Sequence, residues 1–144
     1  MKLLLQIPIF SSVRSVEGYT CAQIFYGTTS NLMKVYGMRQ ESSFIDFYQD
    51  FMRERGIPNT LCRNNSKTQN KEEVKKLHCD LVVADQFSEP YCQWQNPAEI
   101  KGVKNLKAQT QVIMDRVGAP PELWYCCQKY FCEVHNHCAH PQND

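Results

Sequence analysis

The sequence predicts a mixed α/β domain, with three antiparallel strands first, strand–helix units after them and two helices at the end. Three observations carry that prediction. Up to Met38 the apolar residues alternate or run in short blocks, which is a strand pattern. Phe44, Phe47, Phe51 and Met52 then recur at three and four residues, the period of an amphipathic helix. Beyond them, brief apolar blocks alternate with charged helical stretches, the pattern of crossover units. A chain of 144 residues is long enough for one domain with a real core and too short for two.

Residues 3–13 form the first predicted strand; Leu3, Leu4, Leu5, Ile7 and Ile9 are apolar, and Pro8 and the short length disfavour a helix. Glu17-Gly18 marks a turn, and 20–26, rich in Ile, Phe and Tyr, reads as the second strand. Turn residues 27–31 then return the chain into a third strand, 32–38, antiparallel to the second. A helix over 43–55 ends at Gly56-Ile57-Pro58, with glycine as C-cap and proline as stop. A short strand, 59–63, a polar loop, 64–71, and a short charged helix, 72–77, follow. Leu81-Val82-Val83-Ala84 reads as a fifth, buried strand, and 85–96 as a loop rich in aromatic and polar residues. A long helix over 97–117 has Asn96 as N-cap and Pro97 at its first position. Gly118-Ala119-Pro120-Pro121 breaks it before a last helix, 121–137.

Lys and Arg total 16 and Asp and Glu 15, so no global field advertises a nucleic-acid partner and any basic surface must be local. No stretch approaches the roughly 20 apolar residues of a membrane span, so no membrane partner is expected. Met1-Lys2-Leu3-Leu4-Leu5 opens like a secretory leader, but Gln6 and Pro8 break the apolar run and no small-x-small cleavage site follows. An intracellular protein in nucleus or cytoplasm is therefore expected. Its eight cysteines, Cys21, Cys62, Cys79, Cys92, Cys126, Cys127, Cys132 and Cys138, are then reduced thiols.

The densest run of chemistry is 85–99, containing Glu89-Pro90 and then Gln95-Asn96-Pro97-Ala98-Glu99 at the start of the long helix. It resembles the segment that carries the last catalytic glutamate of copia-type retrotransposon integrases, where Glu-Pro is followed by Gln-Asn-x-Ala-Glu. Met114-Asp115-Arg116-Val117-Gly118-Ala119-Pro120 with Leu123-Trp124 is similar to that family's helix break and following tryptophan. Gly18-Tyr19-Thr20-Cys21-Ala22-Gln23-Ile24-Phe25 is similar to its second strand. The resemblance runs from about residue 5 to 140. It implies a single integrase-core-like domain over 1–144, truncated at its N-terminus, on a ribonuclease H-like mixed five-stranded sheet with flanking helices.

Such a core cuts and joins phosphodiester bonds, and the resemblance implies three carboxylates holding two magnesium or manganese ions, with DNA (retroelement ends and target) as partner. Two ions stabilise the attacking and leaving oxygens together. Here the third carboxylate is Glu99, expected as a metal ligand. The family's Arg-Asp-Asn-Ala-Lys type segment matches Arg63-Asn64-Asn65-Ser66-Lys67, which puts Asn64 at the second aspartate position. Its Asp-Thr-x-Phe-Ser-like run matches Ile7-Pro8-Ile9-Phe10-Ser11, which puts Ile7 at the first, and no acidic residue occurs before Glu17. Two of the three ligands are therefore missing, and poor metal binding and a degenerate, inactive polynucleotidyl transferase are expected. Decay of the gene and a shifted gene start would produce the same text. Nucleic-acid-binding candidates are Lys67, Trp94, Gln95, Asn96, Lys101, Lys104 and Lys107, and a homo-oligomer is compatible with the resemblance.

Each feature has a plainer reading. Asn96-x-x-Glu99 has the spacing of a capping box, so Glu99 reads alternatively as a helix cap. Lys101, Lys104 and Lys107 either touch phosphates or form a solvated helix face, and Tyr91 and Trp94 either stack on bases or cover the core edge. The tail Cys126-Cys127, Cys132, His135, His137-Cys138 and His140 offers soft zinc ligands at poor spacing, against thiols on the apolar side of a packed helix. The function classes left open are an integrase-type transferase, a catalytically silent nucleic-acid-binding module on the same fold, and a small cysteine-rich metal-binding protein.

Overall fold

β-Branched and aromatic residues at period two build a five-stranded sheet, and helices at period 3.6 cover both of its faces. The computed structural model describes residues 3–27, 32–40, 43–64, 72–88 and 104–138; at 3, 5, 7, 63, 64 and 86–88 it describes the backbone alone. The described elements are β1 (Leu3–Phe10), β2 (Cys21–Gly27), β3 (Met33–Met38), α1 (Phe44–Arg55), β4 (Thr60–Asn64), α2 (Glu72–Leu81), β5 (Ala84–Ser88), α3 (Lys104–Val117) and α4 (Trp124–His137). A single 3-10 turn, Pro121–Leu123, leads into α4. The strand order is β3-β2-β1-β4-β5. β1, β2 and β3 form an antiparallel meander, with Ile7 opposite Ile24 and Ile24 opposite Val35. β4 joins the other side of β1 in parallel, and β5 joins β4 in parallel.

Strand alternation sorts the core into two layers. On one face Leu4, Phe25, Leu61 and Val83 meet Phe44, Tyr48, Phe51 and Met52 of α1 and Val74 of α2. Phe25 is the hub of that layer, with ring centroids 4.9 Å from Phe51, 5.9 Å from Tyr48 and 6.3 Å from Phe44. On the other face Ile9, Ala22, Ile24, Tyr26, Met33, Val35 and Cys62 meet Leu106 of α3 and Trp124 and Cys132 of α4. Each fully buried large apolar side chain contributes about 1.5–3 kcal/mol, so the two layers together hold the helices on the sheet. No described helix is long and apolar enough to cross a membrane.

Several boundaries differ from the expectation, each for a local reason. β1 ends at Phe10, short of residue 13, because the Ser11 hydroxyl accepts the Val13 N–H at 3.2 Å and the Val13 carbonyl accepts the Trp124 indole N–H at 2.7 Å. Those bonds take the backbone out of the ladder. α2 runs on to Leu81 instead of stopping at 77, because Val74, Leu77, His78 and Leu81 form one helical stripe. His78 is buried in it, with Nδ1 2.8 Å from Asp85 Oδ2 and Nε2 3.0 Å from the Tyr48 hydroxyl. The helix closes at Val82, whose φ of 56° is left-handed, and the Val83 N–H donates to the His78 carbonyl at 2.9 Å. β5 therefore begins at Ala84, and Asp85 lies on a strand where a loop is expected. On α1 the buried position is Tyr48, not Phe47, which is half-buried and stacks on Tyr36. The expected helix start at Asn96 and Pro97 lies outside the described residues.

Candidate functional site

In an open α/β sheet, ligands gather beyond the carboxyl ends of the strands, where successive connections leave in opposite directions. Here that point falls between β1 and β4. β1 leads into β2 on one side, while β4 leads through α2 to β5 on the other. The register sets Leu3 beside Thr60, Leu4 beside Leu61 and Leu5 beside Cys62. Ile7 on β1 and Asn64, the last residue of β4, each stand two residues beyond the last of these pairs. Asn64 in turn is level with Ser88, the last residue of β5. Two of the three positions singled out in the sequence thus sit on neighbouring parallel strands, just past their paired segment. Glu99, together with Lys67, Tyr91, Trp94, Gln95, Asn96 and Lys101, lies outside the described residues.

The chemistry of those two positions does not match a pair of divalent ions. Magnesium takes hard, preferably anionic oxygen ligands. Isoleucine offers no donor and asparagine only a neutral carbonyl oxygen, so this pair supports no metal-dependent step. Among the described residues, no group of three His, Cys, Asp or Glu side chains is gathered to hold an ion. Asp85 does not take the missing role. It is level with Leu61 on β4, three residues before Asn64. At about 3.3 Å per residue that is roughly 10 Å along the strand, and its carboxylate is held by His78. Beside the end of β1, Ser11, Gln111, Asp115 and Trp124 line a cavity of about 370 Å³, in which the Asp115 carboxylate accepts from the Gln111 amide at 2.9 Å. One carboxylate already held by an amide is a poor start for a two-ion centre.

Lys104 and Lys107 are exposed on α3, while Leu106 between them is buried against the sheet. The two lysines are therefore available to a phosphate backbone without disturbing the core. The cysteine tail behaves differently. Cys132 is buried in the core layer, and desolvation pushes its thiol up to about 12, far from the thiolate that a zinc ligand must be. Cys126 donates to the Glu17 carboxylate at 3.0 Å, which raises the thiol and lowers the acid. The seven described cysteines are free thiols.

Two polar clusters escape a reading by pattern. The Asp85–His78–Tyr48 chain joins β5, α2 and α1, and only the unusual burial of a histidine in an apolar stripe hints at it. Asn136, near the end of α4, bonds both backbone groups of Met33 on β3, and nothing in the sequence signals that contact. No protein-family model matches the chain, and no curated protein matches it.

Proposed function

We propose that the chain is an integrase-core-like domain of copia-type retrotransposon descent, on a ribonuclease H-like sheet, that retains nucleic-acid binding and has lost strand transfer. The observation that carries this reading is that Ile7 and Asn64 stand on adjacent parallel strands at the switch point of the sheet, each two residues beyond the last pair, Leu5 and Cys62. Those are the two positions where the resemblance asks for the first and second metal-binding aspartates. The three-strand meander followed by two parallel strands is the sheet that the reading asks for as well. With an isoleucine and an asparagine there, the site lacks the charge that holds magnesium. What remains is a scaffold with exposed lysines on α3, and its partner is DNA inside the cell.

A fluorescence-anisotropy titration with duplex DNA at several salt concentrations tests the proposal. Binding should weaken steeply as salt rises, as counterion release requires. Lys104→Glu with Lys107→Glu should weaken binding and flatten the slope by about 2. No binding even at low salt would remove the proposal. Strand-transfer activity by the unaltered chain would remove its claim of lost chemistry.

A further inference from the structure

We infer that Asn136 closes the open edge of the sheet, its carboxamide occupying the place that a strand from a second copy of the chain would take on β3. β3 is the terminal strand of the sheet, and a terminal strand presents backbone groups that pair readily with another chain. The Met33 N–H donates to Asn136 Oδ1 at 2.8 Å, and Asn136 Nδ2 donates to the Met33 carbonyl at 2.7 Å. One donor and one acceptor on a single residue is the pair of bonds that a neighbouring antiparallel strand supplies. A side-chain amide has the same two groups as a peptide unit. Asn136 therefore mimics the missing strand at that position.

The rest of the edge follows from alternation. With both backbone groups of Met33 turned away from β2, those of Val35 and Gly37 face the same outer side. Near Gly37, Tyr125 of α4 packs edge-on against Tyr19, whose ring abuts Gly37. Between the two contacts, Val35 borders a cavity of about 550 Å³ that lies between β3, the end of α1 and α4. Lys34, ion-paired with Glu54, adds the charge that edge strands use against pairing. α4 thus guards the strand at both ends, and Asn136 is the guard that makes two bonds. This inference stands apart from the nucleic-acid reading, since it concerns the far side of the sheet from β4.

Sedimentation velocity over a concentration series, combined with amide exchange at Met33 and Val35, provides the test. In Asn136→Ala the Met33 amide should exchange about tenfold faster in dilute solution, as loss of one backbone-satisfying bond implies. As concentration rises the variant should self-associate beyond the unaltered chain, and exchange at Met33 and Val35 should slow with it. A folded Asn136→Ala that sediments like the unaltered chain at every concentration, with exchange independent of concentration, overturns the inference. If thermal melts show that this variant does not fold, Asn136→Leu is measured in its place. It keeps the side-chain volume and makes neither bond to Met33, so it should associate in the same way, and unaltered behaviour again overturns the inference.

Discussion

Adding one methyl group at Gly37 should cost this domain about 2 kcal/mol. A Cβ built there lies 2.2 Å from Tyr19 Cδ2, 2.4 Å from Cε2 and 2.7 Å from Cγ. Carbon atoms sit comfortably at about 3.5–4.0 Å, so the ring must retreat by more than about 1 Å. It cannot swing aside cheaply, because the clash includes Cγ at the root of the ring. Tyr19 also packs edge-on against Tyr125, with centroids 4.9 Å apart. Overpacking of this kind costs roughly 1–3 kcal/mol, and weakening the aromatic pair adds up to about 1. Relief of the glycine's entropy returns about 0.5–1 kcal/mol. The net loss should lower the Tm of Gly37→Ala by roughly 4–8 °C, read by circular dichroism. In the background of Tyr19→Ala the same substitution should cost much less, a coupling of more than about 0.5 kcal/mol. A Gly37→Ala as stable as the unaltered chain, with no coupling to Tyr19, would refute the close-approach argument.

Val82, left-handed and 87% exposed, strains a β-branched residue for the sake of a helix end; Val82→Gly should therefore stabilise the domain by about 1 kcal/mol, and a destabilised variant in chemical denaturation would contradict that. The Cys132 thiol, pushed up from 9.0 to about 12 by burial, should be about 1,000-fold poorer in thiolate at pH 8 than an ordinary thiol. Mass-resolved alkylation should label exposed Cys79 and Cys138 well before it, and equal rates would overturn the burial argument. Because the folded state raises this pKa, its contribution to stability is complete below about pH 9 and is lost as pH climbs toward about 12. Tyr36, raised from 10.0 to about 12 chiefly by burial, acts in the same direction. Denaturant midpoints should fall across that alkaline window, and a flat profile would contradict the assignment.

Much of the fold was legible because local period and burial agree. Phe44, Phe51 and Met52 on α1, and Ala22, Ile24 and Tyr26 on β2, each lie where a single amphipathic pattern puts them. Legibility failed where polar groups are buried with partners. His78 sits in the apolar stripe of α2, so the apolar pattern breaks early and the following apolar run reads as a strand. Its partners, Asp85 and Tyr48, come from other elements and cannot be foreseen from local sequence. The same limit applies to the site. Resemblance singled out Ile7 and Asn64, but their place on neighbouring strands depends on the parallel pairing of β1 with β4, a long-range contact that no local propensity encodes. Asn136 is the clearest case, since its value lies wholly in meeting Met33 across the fold.

Manganese titration of Ile7→Asp/Asn64→Asp, followed by electron paramagnetic resonance of the free ion, addresses the central claim most directly. Two carboxylates on adjacent parallel strands, each two residues past the last pair, should create a divalent-ion site that the unaltered chain and either single variant lack, with affinity at least about tenfold above theirs. A folded double variant that takes up manganese no better than the unaltered chain would contradict the claim that these two positions form the floor of one site.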